Sequence, residues 1–242
     1  MGRARRTLRH NGFAGVAFAI LRHAVYCRIT LIEKDLAHPM PDVRSRMDVE
    51  VAQLTSDDVP AYCRYRPETP PEEVMRRLER GSLCYVARVR ERIVSCGWYH
   101  PREAWIEDLD RRFELPPDCV YLYDGHTSPE LRGRGISWAR ATATWADLRR
   151  QGFRRGVAFV VAGNRSSDRA SAKAGWRRFG VAGQVRLGPW RLEFVRSRGR
   201  HMLWRIRRTR PSAAKRGELP PLEPAEALLG QPAGLSAPAR CP

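Results

Sequence analysis

A mixed α/β domain (α+β) built on one central sheet is the fold class that this 242-residue chain predicts. Three observations carry that reading. From residue 48 onward, strand-like and helix-like stretches follow the order β-α-α-β-β-β-α-β-α-β. An apolar, β-rich run from Cys119 to Tyr123 leads through a glycine turn into an Ala-rich helix, Ile136 to Gln151. Val157 to Ala162 is a continuous apolar run, as befits a strand covered on both faces.

Taken in order, residues 1–25 read as a basic leader plus a short helix, with Phe13, Val16, Ala17, Ile20, Leu21 and Ala24 at helical spacing. The apolar run is too short to span a bilayer, and no signal-peptide cleavage pattern follows it. Tyr26 to Leu36 alternates like a strand and ends at His38-Pro39-Met40-Pro41. Asp48 to Leu54 is a further strand, and Ser56-Asp57-Asp58 supplies N-cap chemistry for a short helix. Pro70 and Pro71 precede a helix over Glu72–Arg80, with Gly81 after its end. A hairpin follows, Leu83–Val89 and Ile93–Tyr99 around Arg90-Glu91-Arg92, and then a short strand at Trp105–Asp108. Gly152 closes the long helix. After Val157–Ala162 come a helix over Ser166–Ala174 and strands at Gln184–Leu187, Leu192–Arg196 and Met202–Arg207. Residues 26–209 thus form the domain, and 210–242, rich in Pro, Ala and Gly, a disordered tail.

A net charge of +18 suggests an anionic partner: nucleic acid, a membrane surface or a phosphorylated cofactor. Only three of the 44 basic residues are lysines, a skew that fits genome composition as well as phosphate binding. The six cysteines show no C-x-x-C, which argues against a disulfide framework or zinc site and favours a reducing cytoplasm.

The stretch Ser128 to Ser137 carries the chemistry. A glycine turn between a strand and a helix leaves backbone N–H groups unpaired and pointing one way, and the helix dipole adds partial positive charge there. Gly133 and Gly135 let a phosphate approach the main chain closely. Asp124-Gly125-His126-Thr127, just before the turn, places a glycine in a strand, which marks a bulge or the close approach of another backbone.

Three segments resemble the GNAT N-acetyltransferase superfamily over residues 48–190. Glu130-Leu131-Arg132-Gly133-Arg134-Gly135-Ile136 is similar to the family's pyrophosphate loop, Q/R-x-x-G-x-G/A, with Glu130 at its opening position. Asn164 to Trp176 is similar to the later N-x-x-S-x-x-x-Y-x-K-x-G-F segment, and Cys84 to Gly97 to the central hairpin. The resemblance implies a mixed, mostly antiparallel sheet flanked by helices, with splayed central strands and pantetheine in the gap. It implies acetyl-CoA as co-substrate and no metal. Arg132, Gly133, Arg134, Gly135, Ile136 and Ser137 would hold the pyrophosphate; Gly125, His126 and Thr127 the thioester; Asn164 and Ser171 the pantetheine region. Ser171 stands where the family commonly has a tyrosine that protonates the leaving thiolate, so either Tyr123 or Tyr121 would substitute or the thiolate would leave without direct protonation.

Transfer to an amine needs a proton acceptor at the strand end, for which Asp124, His126 and Glu107 are candidates in that order. Trp98, Tyr99, His100, Trp105, Glu107 and Asp108 are expected to line the acceptor site. The leading expectation is a cytoplasmic acetyl-CoA-dependent N-acetyltransferase acting on a small-molecule or protein amine. There are two alternatives: a non-catalytic basic binding protein for nucleic acid or an anionic membrane surface, supported by charge but lacking a nucleic-acid motif, and a membrane-proximal acyltransferase acting on lipid or envelope precursors, with peripheral contact through residues 1–25.

Overall fold

The strand nearest the N-terminus lies in the middle of the sheet. In the computed structural model, which describes residues 26–38, 45–106, 109, 111–187, 189–197, 203–208 and 222–223, β1 (Tyr26–Asp35) runs antiparallel to β8 (Arg155–Val161) on one side and β9 (Arg177–Leu187) on the other. The remaining elements are β2 (Glu50–Gln53), α1 (Val59–Tyr65), α2 (Pro71–Glu79), β3 (Leu83–Val89), β4 (Arg92–Pro101), β5 (Glu103–Ile106), β6 (Arg111–Glu114), β7 (Cys119–Thr127), α3 (Ile136–Arg150), α4 (Arg165–Lys173), β10 (Trp190–Ser197), β11 (Leu203–Arg208) and β12 (Leu222–Glu223). The main sheet has nine strands in the order β11-β10-β9-β1-β8-β7-β4-β3-β2, with β5, β6 and β12 in a small second sheet.

Local chemistry accounts for the elements. The β3–β4 hairpin turns at Arg90 and Glu91, both at positive φ, as a tight two-residue reversal demands. Before α1, the Thr55 N–H donates to Asp58 Oδ2 at 3.1 Å, capping the short 3-10 turn Ser56–Asp58. Asn164 caps α4 by accepting from the Ser167 N–H at 3.1 Å. At the other end of α4, buried Lys34 of β1 donates to the Ala174 carbonyl at 2.9 Å, a cation at a helix C-terminus.

Each face of the sheet has its own core. Trp145 and Leu148 of α3 pack on Tyr85, Tyr99 and Val120 on one face. On the other, Tyr62 of α1 and Val74 of α2 cover Cys84, Val86, Cys96 and Trp98. The β5–β6 hairpin continues that second layer over Ile29, Leu31, Cys119 and Tyr121. A fully buried aliphatic side chain such as Leu148 contributes about 2 kcal/mol.

Several expectations change. β9 begins at Arg177 rather than near Gln184, because Gly180 and Gly183 interrupt its pattern while its backbone pairs on both sides. β6 is new, and β12, within residues 210–242, pairs with it in parallel. Glu107, Asp108 and the proposed N-terminal helix lie outside the described residues. Among the described residues no helix is long and apolar enough to cross a membrane, and no cluster of three or more His, Cys, Asp or Glu could hold a metal ion.

Candidate active site

The central strands part where the glycine turn begins. β7 and β8 pair in parallel only from Cys119/Arg155 to Tyr121/Val157, while β7 runs on to Thr127. On its other side β7 stays paired with β4, but with a register shift: Trp98 faces Tyr123 and Cys96 faces His126. Gly97 therefore stands opposite both Asp124 and Gly125, a bulge. The left-handed residue in it is Asp124, at φ 46°, rather than Gly125. A non-glycine residue held there signals strain maintained by its surroundings. Gly97 leaves room of a different kind: a Cβ there would run into the guanidinium of Arg140, which would have to move. Buried Arg140 reaches from α3 to donate to Ser95 Oγ at 3.1 Å and Tyr99 Oη at 3.4 Å, tying the helix after the turn to the strand beside the bulge.

After β7 the chain makes a 3-10 turn, Pro129–Leu131, and then Gly133 and Gly135 take φ of 77° and 82°. Among the described residues no group accepts a hydrogen bond from the amides of Gly133, Arg134, Gly135, Ile136 or Ser137. Nothing lies within 4 Å of where a Gly133 Cβ would be, so the turn is open. The carbonyl side is held: Arg134 O accepts from the Arg46 N–H at 2.9 Å, and Arg132 Nε donates to Thr127 O at 3.2 Å. The sequence-predicted loop residues Arg132 to Ser137 are thus brought together at the N-terminus of a 15-residue helix. Gly125, His126 and Thr127 stand beside them. Asn164 is occupied as a helix cap, and Ser171, half-buried on α4, gives its carbonyl to the Trp176 N–H at 3.0 Å.

The three candidates on β7 differ sharply in environment. Asp124 is held by Arg66 Nη2 at 3.1 Å and Arg77 Nη1 at 2.9 Å. Burial pushes its carboxyl up, but the two guanidinium groups outweigh that and keep it below the usual carboxylate range. A carboxylate so paired is a weak proton acceptor at neutral pH. His126 Nδ1 lies 2.7 Å from Tyr65 Oη. Burial, with Arg66 and Arg132 nearby, lowers its proton affinity and so favours the neutral imidazole. Tyr123 donates to Ser82 Oγ at 3.0 Å, and burial pushes its phenol up to about 12.

Tyr62 and Trp98 form the floor beneath this group, with Trp98 Nε1 donating to Tyr62 Oη at 2.8 Å. Arg77 lies 5.2 Å from the Trp98 ring centre, a cation–π contact. The expected acceptor lining is divided: buried Trp98 belongs to this floor, whereas buried Tyr99 faces α3 across the sheet. His100 and Trp105 lie toward the opposite end of β7, where His100 pairs with Tyr121 and Tyr121 Oη donates to Trp105 O at 3.0 Å. Tyr65, Arg66, Arg77 and Ser82 were not singled out from the sequence. In so arginine-rich a chain, no two arginines stand apart from the rest.

No family model matches the chain, and no curated protein matches it. Solved structures do. It is similar to a GCN5-related N-acetyltransferase from Sphaerobacter thermophilus, with 14% identity, 81% of this chain and 57% of that one covered, and a TM-score of 0.50. An acetyltransferase of the GNAT family from Novosphingobium aromaticivorans matches at 18% identity, over 65% of this chain and 62% of that one, with a TM-score of 0.46. The chain therefore spans about three-fifths of the length of these neighbours. An aminoglycoside N-acetyltransferase solved with CoA matches at 15% identity over 55% of this chain and 90% of that one, with a TM-score of 0.44. The mixed, mostly antiparallel sheet with its parted central strands and helices on both faces is the fold of the GNAT N-acetyltransferases.

Proposed function

We propose that this protein is an N-acetyltransferase that binds acetyl-CoA at the turn after β7 and passes the acetyl group directly to an amine. The observation that carries the reading is the row of amides from Gly133 to Ser137 at a helix N-terminus, without an acceptor among the described residues, beside a strand edge left open past Tyr121. Those amides suit the diphosphate. The open edge of β7 suits an extended, amide-bearing arm lying alongside it as an added strand. Acetyl-CoA, when bound, supplies an activated thioester.

On this reading His126 takes the amine's proton. Tyr65 has one hydroxyl proton and, besides His126, an acceptor in Val94 O at 3.1 Å. Both contacts are made when His126 Nδ1–H donates to Tyr65 Oη and Tyr65 donates to Val94 O. Nε2 then keeps its lone pair. The amine nitrogen forms its bond to the thioester carbonyl carbon, the carbon–sulfur bond breaks, and the proton released by nitrogen goes to His126 Nε2. An amide N–H at the bulge, near Gly125 or His126, would stabilise the developing oxyanion. Asp124, fixed by Arg66 and Arg77, positions the bulge rather than accepting a proton. Ser171 is too weak an acid to protonate a thiolate, and Tyr123 on the same strand is the better donor.

The acceptor would approach the bulge of β7 on the face that carries α1 and α2. The test is release of free CoA thiol from acetyl-CoA across a panel of amines, run beside calorimetry with CoA. Amine-dependent thiol release that Gly133→Glu abolishes supports the reading. Absence of CoA binding by the unaltered chain overturns it.

A further inference from the structure

The end of β7 remote from the glycine turn opens on a second cleft. It encloses about 680 Å³, and its walls include Arg80, His100, Arg102, Glu103, Arg112 and Gln151. Among the described residues, three guanidinium groups and an imidazole there face one carboxylate, and that carboxylate is already engaged. Glu103 pairs with Arg112 Nη2 and lies 3.3 Å from His100 Nε2. Arg80 and Arg102 have no carboxylate partner among the described residues. Arg112 Nε is buried with no hydrogen-bond acceptor. A surplus of cationic donors in a concave site, one of them buried and unpaired, suits an anion.

The backbone makes the same point. Arg102, the link between β4 and β5, sits at φ 71°, held by the Leu115 N–H donating to its carbonyl at 2.6 Å. Glycine would take that conformation without strain. A long cationic side chain held there, on the wall of the cleft, is consistent with a position kept for binding rather than for stability.

The cleft is also wired to the candidate active site. His100 Nδ1 is 2.8 Å from Ser82 Oγ, and Ser82 Oγ accepts from Tyr123 Oη at 3.0 Å, one residue before Asp124. We propose that this cleft is a second ligand site for a small, multiply charged oxyanion, and that the His100–Ser82–Tyr123 chain carries its occupancy to the other end of β7. The groups facing His100 are Glu103 on β5, Arg112 on β6, Arg80 after α2, and Ser82. Burial holds its proton affinity down, opposed by Glu103 and reinforced by Arg112 and Arg80. An anion that neutralises those two arginines makes His100 more basic. Once protonated, Nδ1 donates to Ser82 instead of accepting, and the Ser82 hydroxyl must turn toward another acceptor. Phosphate esters and polycarboxylates share the required chemistry, two or more anionic oxygens for forked donors.

The test titrates inorganic pyrophosphate, and separately citrate, into the full chain carrying Gly133→Glu, so that the turn after β7 does not contribute. Calorimetry should show saturable one-to-one binding that Arg80→Gln with Arg102→Gln weakens at least tenfold. The His100 ring resonance should move with saturation. Arg102→Gly should raise the melting temperature while weakening binding, which a purely structural arginine would not do. Binding of pyrophosphate but not citrate identifies a phosphate site, and the reverse a polycarboxylate site. No saturable binding of either, or binding unchanged by the arginine substitutions, overturns the site; binding with an unmoved His100 resonance overturns the coupling. None of these readouts depends on acetyl transfer.

Discussion

The turn after β7 and the group of side chains on the α1–α2 face are a few residues apart and built in opposite ways. The turn is made of main chain: amides that any residue could carry, presented by two glycines at φ of 77° and 82°. The other group is made of side chains from four separate elements: Arg66 after α1, Arg77 on α2, Trp98 on β4, and Tyr123, Asp124 and His126 on β7. Backbone architecture tolerates substitution at every position but the glycines. Side-chain architecture fails when any one partner is removed. The contrast predicts where each kind of substitution will register: in affinity for CoA at the turn, and in turnover or stability on the other face.

Gly133→Glu should have the largest effect. A side chain at positive φ costs about 1–2 kcal/mol, and a carboxylate about 4 Å from a phosphate adds roughly 4 kcal/mol at an intermediate dielectric. CoA affinity should fall about a thousandfold or more in calorimetry, with the fold intact, because Gly133 is exposed and open. A smaller loss would mean that the amides do not carry the phosphate.

His126→Gln comes next. It keeps a partner for Tyr65 but removes the base, so kcat should drop about 100-fold with little change in CoA affinity. The unaltered protein should show kcat rising with pH along a limb below the ordinary histidine value of about 6.5, because burial, Arg66 and Arg132 disfavour the imidazolium. Arg132→Gln removes one of those cations and should move the limb upward. A limb that stays in place would show that another group titrates.

Asp124→Asn should destabilise the chain by about 2 kcal/mol, since it leaves two partly buried guanidinium groups without their shared carboxylate. The sign with pH is fixed by the depressed carboxyl. The contribution is fully present above the unfolded value of about 4 and is lost as pH falls through the lower folded value. Denaturant melts at pH 7 and in acid would check both. Ser171→Ala should be the mildest, within about 0.5 kcal/mol in stability and nearly silent in turnover. A large loss of turnover would return the serine to the chemistry.

How much of this the sequence discloses follows the same division. Turn, helix and strand around Ser128–Ser137 are local, and their glycines announce positive φ directly. The bulge was legible from Gly125, although the left-handed residue proved to be its neighbour Asp124, whose conformation is imposed by Arg66 and Arg77 from 58 and 47 residues away. The strand at Tyr26–Asp35 was legible too, but its central place was not, because Ile29 pairs with Val161 and Ala182, far along the chain. Glu107 and Asp108 were expected in the acceptor lining and lie outside the described residues. The arginines that do meet β7 carry no local signal in a chain where nearly every cation is arginine. Periodicity reports which face is covered, and it is silent on which distant charge arrives to cover it.

The most direct test is to follow the backbone amide resonances of the isotopically labelled chain as CoA is added. The account predicts that Gly133, Arg134, Gly135, Ile136 and Ser137 shift most and saturate together, because their N–H groups have no acceptor among the described residues. Saturating shifts elsewhere with those five unmoved would contradict it.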